Sequence, residues 1–247
     1  ETKLENYNIL EFQQISDSFN EMTVRIETLI KEVYETQLLV KEARLQYLQA
    51  QINPHFMFNV LTMIAIKVKK HRDEELYQTV TSFAGLMRGK LFRRNEVEIK
   101  LKEEMEIAGF YLYLQSERFK DIITYNIEWE SDEIKECYVP RLCIEPIVEN
   151  AVIHGLEPKG TEGRIRVAIR EASEDSINIV VEDDGVGFNV NEMDDRKDNK
   201  NPRVGVMNIQ RLIRNLYGDK YGVLFQSEIG KGTIVTVCLP MRKDRTV

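Results

Sequence analysis

Cysteine is scarce in this chain of 247 residues. Cys137, Cys143 and Cys238 are odd in number and form no CxxC pair. That excludes a disulfide framework and suits a reducing compartment. The three histidines, His55, His71 and His154, are scattered, so no Cys/His metal centre is encoded. Positive charge is not in excess either. Lys and Arg number 34 against 41 Asp and Glu, a net charge of -7, and nucleic acid is not an expected partner. Long apolar runs are missing as well. The most apolar stretch, Phe56 to Ile66, contains Asn59 and Thr62 and is too short for a bilayer, so a buried bundle helix explains it better. No signal peptide is present. The chain starts at Glu1 within what reads as a helix already under way, so a fragment excised from something longer is expected.

What is present first is a heptad. Ile15, Phe19, Met22, Ile26, Leu29, Val33, Thr36, Val40, Ala43, Tyr47 and Ala50 alternate steps of four and three, a coiled-coil seam. No partner heptad exists elsewhere in the chain, so the expected partner is a second copy, in a parallel homodimer. A second apolar line, Ile30, Tyr34, Leu38, Leu45, Leu48 and Ile52, widens the face toward a larger bundle.

The stretch from Leu48 to Thr62 organises the rest. Pro54 interrupts its helical periodicity, removes a backbone donor and leaves the carbonyl of Ala50 without its usual partner. The helix should kink or restart there, with Asn53 and Pro54 as cap and first-turn pair. Gln51, His55 and Asn59 then share one face. Two readings of His55 stand: a surface histidine at a kink, or an exposed nucleophile. An imidazole with a pKa of about 6.5 has a free lone pair at neutral pH, and Asn59 could orient the ring through its other nitrogen. The helix beyond Phe56 is apolar nearly all round. A polar break from Lys69 to Glu75 precedes a second amphipathic helix on Leu76, Val80, Phe83, Met87 and Leu91. Two antiparallel helices per chain, dimerised, predict a four-helix bundle.

Arg93 to Glu96 marks a boundary. Beyond it the spacing predicts a helix over Leu101 to Phe119, a strand over residues 122–130, and an apolar helix from Pro140 to Leu156 ended by Gly155. Two more strands are expected at Arg164 to Glu171 and Ser176 to Asp183. A helix at Val204 to Leu216 precedes closing strands at Val223 to Ser227 and Thr233 to Leu239. The expected class is α+β and multi-domain: a coiled coil and four-helix bundle, then one mixed sheet covered by helices on one face.

The C-terminal half carries the chemistry. Asp183-Asp-Gly-Val-Gly187 ends a strand; its first Asp can accept a hydrogen bond from an amino group, and Gly185 and Gly187 let backbone approach a planar ligand. Asn150 on the preceding helix offers a hard oxygen suited to magnesium beside phosphate. Asn189 to Pro202 is polar and aperiodic, a mobile loop hinged between Gly187 and Gly205. Gly205 to Asn208 opens a helix whose amides can meet phosphate. Gly230-Lys-Gly-Thr233 turns into the last strand. Singly, each has an ordinary explanation as a turn or a polar helix position; the order of all five is far more specific.

That order resembles the nucleotide-binding domain shared by histidine kinases, type II topoisomerases and heat-shock 90 chaperones, a Bergerat-type fold. LQAQINPHFMFNVL (48–61) resembles the phosphoacceptor box of LytS/YesM-like sensor histidine kinases, and EPIVENAVIHG (145–155) resembles their Asn box. FNEMTVRIETLI (19–30) resembles the second helix of a HAMP signal-relay module. The resemblance covers essentially the whole chain. It implies a HAMP helix and signalling coiled coil over 1–35, dimerisation and phosphoacceptor helices over 36–95, and an ATP-binding domain over 96–247. It further implies ATP and Mg2+ as cofactors and a homodimer. Autophosphorylation on His55 would be followed by transfer to an aspartate of a response regulator receiver domain. An upstream membrane-spanning sensor would place the whole protein at the cell membrane, with this part on the cytoplasmic side.

By the same resemblance Asn150 holds magnesium and Asp183 takes the adenine amino group. Gly185, Gly187 and Thr233 shape that pocket, Gly205 and Asn208 border the lid, and His154 approaches phosphate or simply caps its helix. Two departures stand out. Arg203-Val-Gly205-Val206 keeps only one of the two glycines common at the lid end, and Phe56 stands where many such kinases place an acid directly after the histidine. A hydrolytic ATPase machine would have a glutamate four residues before the asparagine, where this chain has Pro146. A degenerate relay that binds nucleotide without kinase activity is the remaining alternative, with Arg203 in its favour.

Overall fold

The structure, a computed structural model, describes residues 17–31, 33–34, 36–37, 40, 54–91, 96–120, 122–173, 175–189 and 202–245. It divides into two units at Asn53 and Pro54. In the first unit all the described residues from 17 to 40 are helical. The heptad positions Phe19, Met22, Ile26, Leu29, Val33 and Val40 are exposed apolar side chains on it. The heptad positions Ile15, Ala43, Tyr47 and Ala50, together with Gln51 and Asn53, lie outside the described residues.

The second unit opens with α1, Pro54–Lys70, and α2, Glu74–Leu91, which pack together as a helical hairpin. Pro54 is the first helical residue of α1, where its missing N–H costs nothing. Asp73 starts α2, its carboxylate accepting the Leu76 N–H at 3.0 Å.

The hairpin does not stand apart from the rest of this unit. α2 packs on α3, Leu101–Arg118. The closest approach uses glycine: a Cβ at Gly89 would lie 2.5 Å from Ile107 Cγ1. Arg141 Nη2 donates to the carbonyls of Gly89 at 3.1 Å and Lys90 at 2.8 Å, closing the end of α2. Lys90 is ion-paired with the nearly buried Glu145 at 2.7 Å.

The remaining strands are β1, Glu98–Lys100; β2, Ile123–Trp129; β3, Tyr138–Pro140; β4, Gly163–Ser173; β5, Ser176–Asp183; β6, Gly222–Glu228; and β7, Gly232–Pro240. The helices among them are α4, Glu145–Asn150, and α5, Pro202–Tyr217. β1 and β3 form a small antiparallel pair. The other five make one mixed sheet in the order β2-β4-β5-β7-β6, parallel only between β2 and β4. Alternation decides the faces. Ile165, Val167 and Ile169 of β4, Ile177, Ile179 and Val181 of β5, and Val235, Val237 and Leu239 of β7 are buried in one core with α3, α4 and α5. Arg166 lies on the opposite face, paired with Glu128 of β2 at 2.6 Å. This is the one-sided α+β layer that the periodicity predicted.

One element differs from expectation. The apolar run from Pro140 to Leu156 is not one helix. Pro140 ends β3, residues 141–144 turn, α4 spans only Glu145–Asn150, and a π-helical turn, Ala151–Leu156, and a 3-10 turn, Glu157–Lys159, continue it. Gly155 therefore does not end the helix; Gly160, with φ +64, does. The physical reason lies in α3. Glu104, 0% exposed, accepts the backbone N–H groups of Leu142 and Ile144, each at 2.9 Å, and of Glu145 at 3.5 Å. A distant carboxylate thus sets where α4 begins.

Replacing Glu104 by Gln should remove one acceptor and point an amide N–H2 at backbone donors. The expected cost is about 1–3 kcal/mol of stability. Urea denaturation of the variant checks this, and an unchanged midpoint would remove Glu104 as the anchor of α4.

Candidate functional site

α4 and the π turn run past the end of the sheet where β5 finishes. Ile147, Val148, Ala151, Val152 and Leu156 are buried against the sheet. Asn150, half-buried, and His154, exposed, stand on the same turn of chain. π turns are uncommon and concentrate at functional sites. The Gly155 carbonyl accepts the Val186 N–H at 3.0 Å, which ties the turn to the loop after β5.

Asp183 is the last residue of β5, held between Ile165 of β4 and Thr233 of β7. It is 5% exposed, and its Oδ1 accepts the Gly185 N–H at 2.9 Å. Burial pushes its carboxyl pKa up to about 6, and Asp184 adds to the rise. The backbone N–H groups of Gly185 and Thr233, and Lys159, pull the other way without overcoming it. A buried carboxyl with a raised pKa in a cleft is characteristic of a functional position.

The loop beyond Asp183 is closed by backbone. Gly187 has φ +58, and a side chain there would run into the Glu228 carbonyl, so glycine is required. The Gly230 N–H donates to the Val186 carbonyl at 2.7 Å. The Phe188 N–H donates to Ser227 Oγ at 2.9 Å, and that hydroxyl lies 2.9 Å from Thr233 Oγ1. Thr233 is therefore fixed by a short hydroxyl relay across β6 and β7.

These elements enclose a partly open cleft. Asn150, His154, Asp183 and Thr233 supply its polar groups. Phe188, Phe225, Val206, Val181 and Ile147 supply an apolar wall, with the Phe188 and Phe225 rings tilted at 6.3 Å between centroids. A large apolar wall with a few convergent polar groups suits a flat heterocycle with a polar edge.

Most of the residues expected from sequence meet here. Gly187 lines the cleft, Gly185 lies buried behind it, and a Cβ on Gly205 in the first turn of α5 would sit 3.6 Å from Asn150 Nδ2. Asn208 is exposed on α5 and not among the residues lining the cleft. His55 and Asn59 lie in the first turns of α1, where Asn59 is exposed and the His55 side chain falls outside the described residues. The loop from 190 to 201 also lies outside them, as do the side chains of Pro202 and Arg203. Phe188 and Phe225 went unnoticed in the sequence. Phe188 directly follows Asp183-Asp-Gly-Val-Gly187, and Phe225 has the inward parity of Val223 on β6, so a signal existed for both.

A one-sided mixed sheet with an Asn-bearing helix and an Asp-ended strand around one cleft defines an ATPase-type nucleotide-binding domain. The family model of histidine kinase-, DNA gyrase B- and HSP90-like ATPases matches residues 140–243. The histidine kinase model matches residues 43–123. The sensor histidine kinase YesM of Bacillus subtilis is 33% identical over 228 residues, 92% of this chain and 38% of that protein. The sensor histidine kinase YpdA of Escherichia coli is 29% identical over 214 residues, 83% of this chain and 37% of that protein. The sensor protein LytS of Oceanobacillus iheyensis is 28% identical over 225 residues, 87% of this chain and 37% of that protein. The chain belongs to the histidine kinases. It spans less than two-fifths of the length of these three curated relatives.

The raised Asp183 pKa has a stability consequence with a definite sign. A carboxyl whose folded pKa, about 6, exceeds its ordinary value of 3.8 stabilises the fold fully below the ordinary value and loses that contribution as pH rises through about 6. Thermal melts of the wild type and Asp183→Asn between about pH 4 and about pH 7 should show the wild type losing ground to the variant with rising pH. Parallel melting curves across that window would mean that Asp183 titrates normally.

Proposed function

We propose that this chain is the phosphotransferase portion of a sensor histidine kinase, which phosphorylates itself on His55 from ATP and passes the phosphoryl group to a response regulator aspartate. The observation that carries the reading is a single cleft bordered by Asn150, His154, Asp183 and Thr233. These come from the Asn-box helix, its π turn, and the facing ends of β5 and β7.

The donor set fits ATP and magnesium. The apolar wall accepts the base, and the Asp183 carboxyl, fixed by Gly185 and Thr233, accepts its exocyclic amine. Gly185 and Gly187 shape that end of the pocket. The Asn150 side-chain carbonyl is a hard oxygen ligand for Mg2+, which would neutralise phosphate charge. His154 faces the phosphates from the π turn, and Gly205 and Asn208 border the lid at the start of α5.

Catalysis then consists mainly of positioning and charge neutralisation. An imidazole nitrogen of His55 donates its lone pair to the γ-phosphorus, a P–N bond forms, and the bridging P–O bond breaks to release ADP. A neutral imidazole needs no strong base for this, which suits the presence of Phe56 where an acid often stands. Asn59, one turn on, orients the ring.

The hairpin supports a homodimer. Phe56, Met63, Ile64, Ile66, Leu76 and Phe83 of α1 and α2 are exposed apolar residues, a face that a second hairpin would cover in a four-helix bundle. The exposed heptad over residues 17–40 offers a coiled-coil seam to a second copy of its own helix. Among the described residues no helix is long and apolar enough to cross a membrane. The whole protein would carry its membrane-spanning sensor elsewhere, with this part on the cytoplasmic side.

Two variants test the reading. His55→Ala should bind ATP normally and take up no acid-labile label from γ-labelled ATP; undiminished labelling would reject the phosphoacceptor. Asp183→Asn should lose about 1.5–3 kcal/mol of ATP affinity, because a charged acceptor is replaced by an amide. Calorimetry giving the wild-type Kd would take Asp183 out of base recognition.

A further inference from the structure

Gly155 has no side chain to bring to the chemistry, yet its α-carbon is pressed hard against Asp183. An ideal Cβ at Gly155 would lie 2.6 Å from Asp183 Oδ1, 3.0 Å from its Cγ and 3.4 Å from Oδ2. Its φ lies outside the left-handed region, so alanine could adopt the same backbone and the obstacle is purely one of space. Neither partner is free to step aside. The Gly155 carbonyl takes the Val186 N–H at 3.0 Å, and its backbone is itself abutted by Gly185. On the other side, Asp183 Oδ1 takes the Gly185 N–H at 2.9 Å, and the backbone of Asp183 is locked in the ladder opposite Ile165 and Thr233. Gly205, by contrast, would meet only ordinary contact at 3.6 Å.

We infer that Gly155 is a positioning residue: the bare α-carbon in the wide turn after α4 leaves the space in which the Asp183 carboxyl stands, and thereby sets selectivity for a purine bearing a 6-amino group. The inference rests on the proposed role of Asp183 in base recognition. The π turn gains a purpose from it, because that turn carries Asn150 and His154 past the cleft while laying Gly155 flat against the acid. A methyl group at 155, on the wall of the cleft, swings the carboxyl away from the base.

The test uses the whole chain, Gly155→Ala, Asp183→Asn and their double variant, with ATP and inosine triphosphate, whose 6-oxo group replaces the amine. Gly155→Ala should weaken ATP binding by about tenfold, change inosine triphosphate binding by less than about twofold, and raise KM far more than it lowers kcat. In the Asp183→Asn background the same substitution should cost less than about twofold. A wild-type ATP to inosine triphosphate ratio in Gly155→Ala, or losses that multiply in the double variant, would overturn the inference. Melting temperature gives a second reading that survives a poorly folding variant. Gly155→Ala should melt lower than wild type, and Gly155→Ala with Asp183→Ser, which shortens the colliding side chain, should recover most of the loss. No recovery would overturn the steric coupling. Wild-type ATP affinity in Asp183→Asn would instead sink the base-recognition reading, while the melting pair would still decide whether the two positions collide.

Discussion

The buried carboxylate of Glu104 is the interaction on which the site depends. It reaches from the first turn of α3 to the start of α4 and accepts backbone N–H groups that the helix cannot satisfy internally. Burial raises its pKa, the three amides oppose that rise, and Glu145 adds to it, so the group is held between two large opposing effects. The helical side of the cleft is set by this anchor. α4 is only six residues long and could not hold its own direction in isolation. Fixed at its first turn by α3 and along its length by burial of Ile147 and Val148, it delivers Asn150 and His154 to the end of β5.

The same region joins the histidine-bearing hairpin to the sheet layer that carries the cleft. Arg141, in the turn that Glu104 organises, donates to the last carbonyls of α2, and Lys90 of α2 pairs with Glu145 in the first turn of α4. Burial raises the Glu145 pKa, while Lys90 lowers it by hydrogen bond and charge. The short tract from Arg141 to Glu145 therefore receives contacts from both the hairpin and α3. The hairpin is thus tied to the start of α4 by directional hydrogen bonds and an ion pair, and to α3 by the close packing of Gly89 on Ile107.

Legibility in the sequence followed the range of the interactions involved. The strand Ser176–Asp183 was visible to the residue because alternation and the following glycines are local signals. The helix over Leu101–Arg118 was visible for the same reason. The tract from Pro140 to Leu156 was misread because its apolar residues look equally helical whether they sit in a strand end, a turn or a π segment. What divides them is Glu104, 38 residues before Leu142. The small β1–β3 pair was missed because three-residue strands carry too little alternation to register. Phe188 and Phe225 were present as signals of parity, but nothing local says that two aromatic residues on different strands share a cleft.

By itself the sequence determined the order of the parts: a heptad, a proline-started helix bearing His55, an Asn-bearing helix, an Asp-ended strand and a glycine turn before the last strand. Periodicity, proline and glycine act over a few residues, so a single chain read in order carries them. Tertiary structure alone decided which parts meet. It set the start of α4 from α3, docked α2 on α3, and pressed Gly155 against Asp183. The physical reason is that each of these is a contact between residues far apart in sequence, fixed by excluded volume and by the need of buried polar groups for partners, and neither quantity exists until the chain is packed.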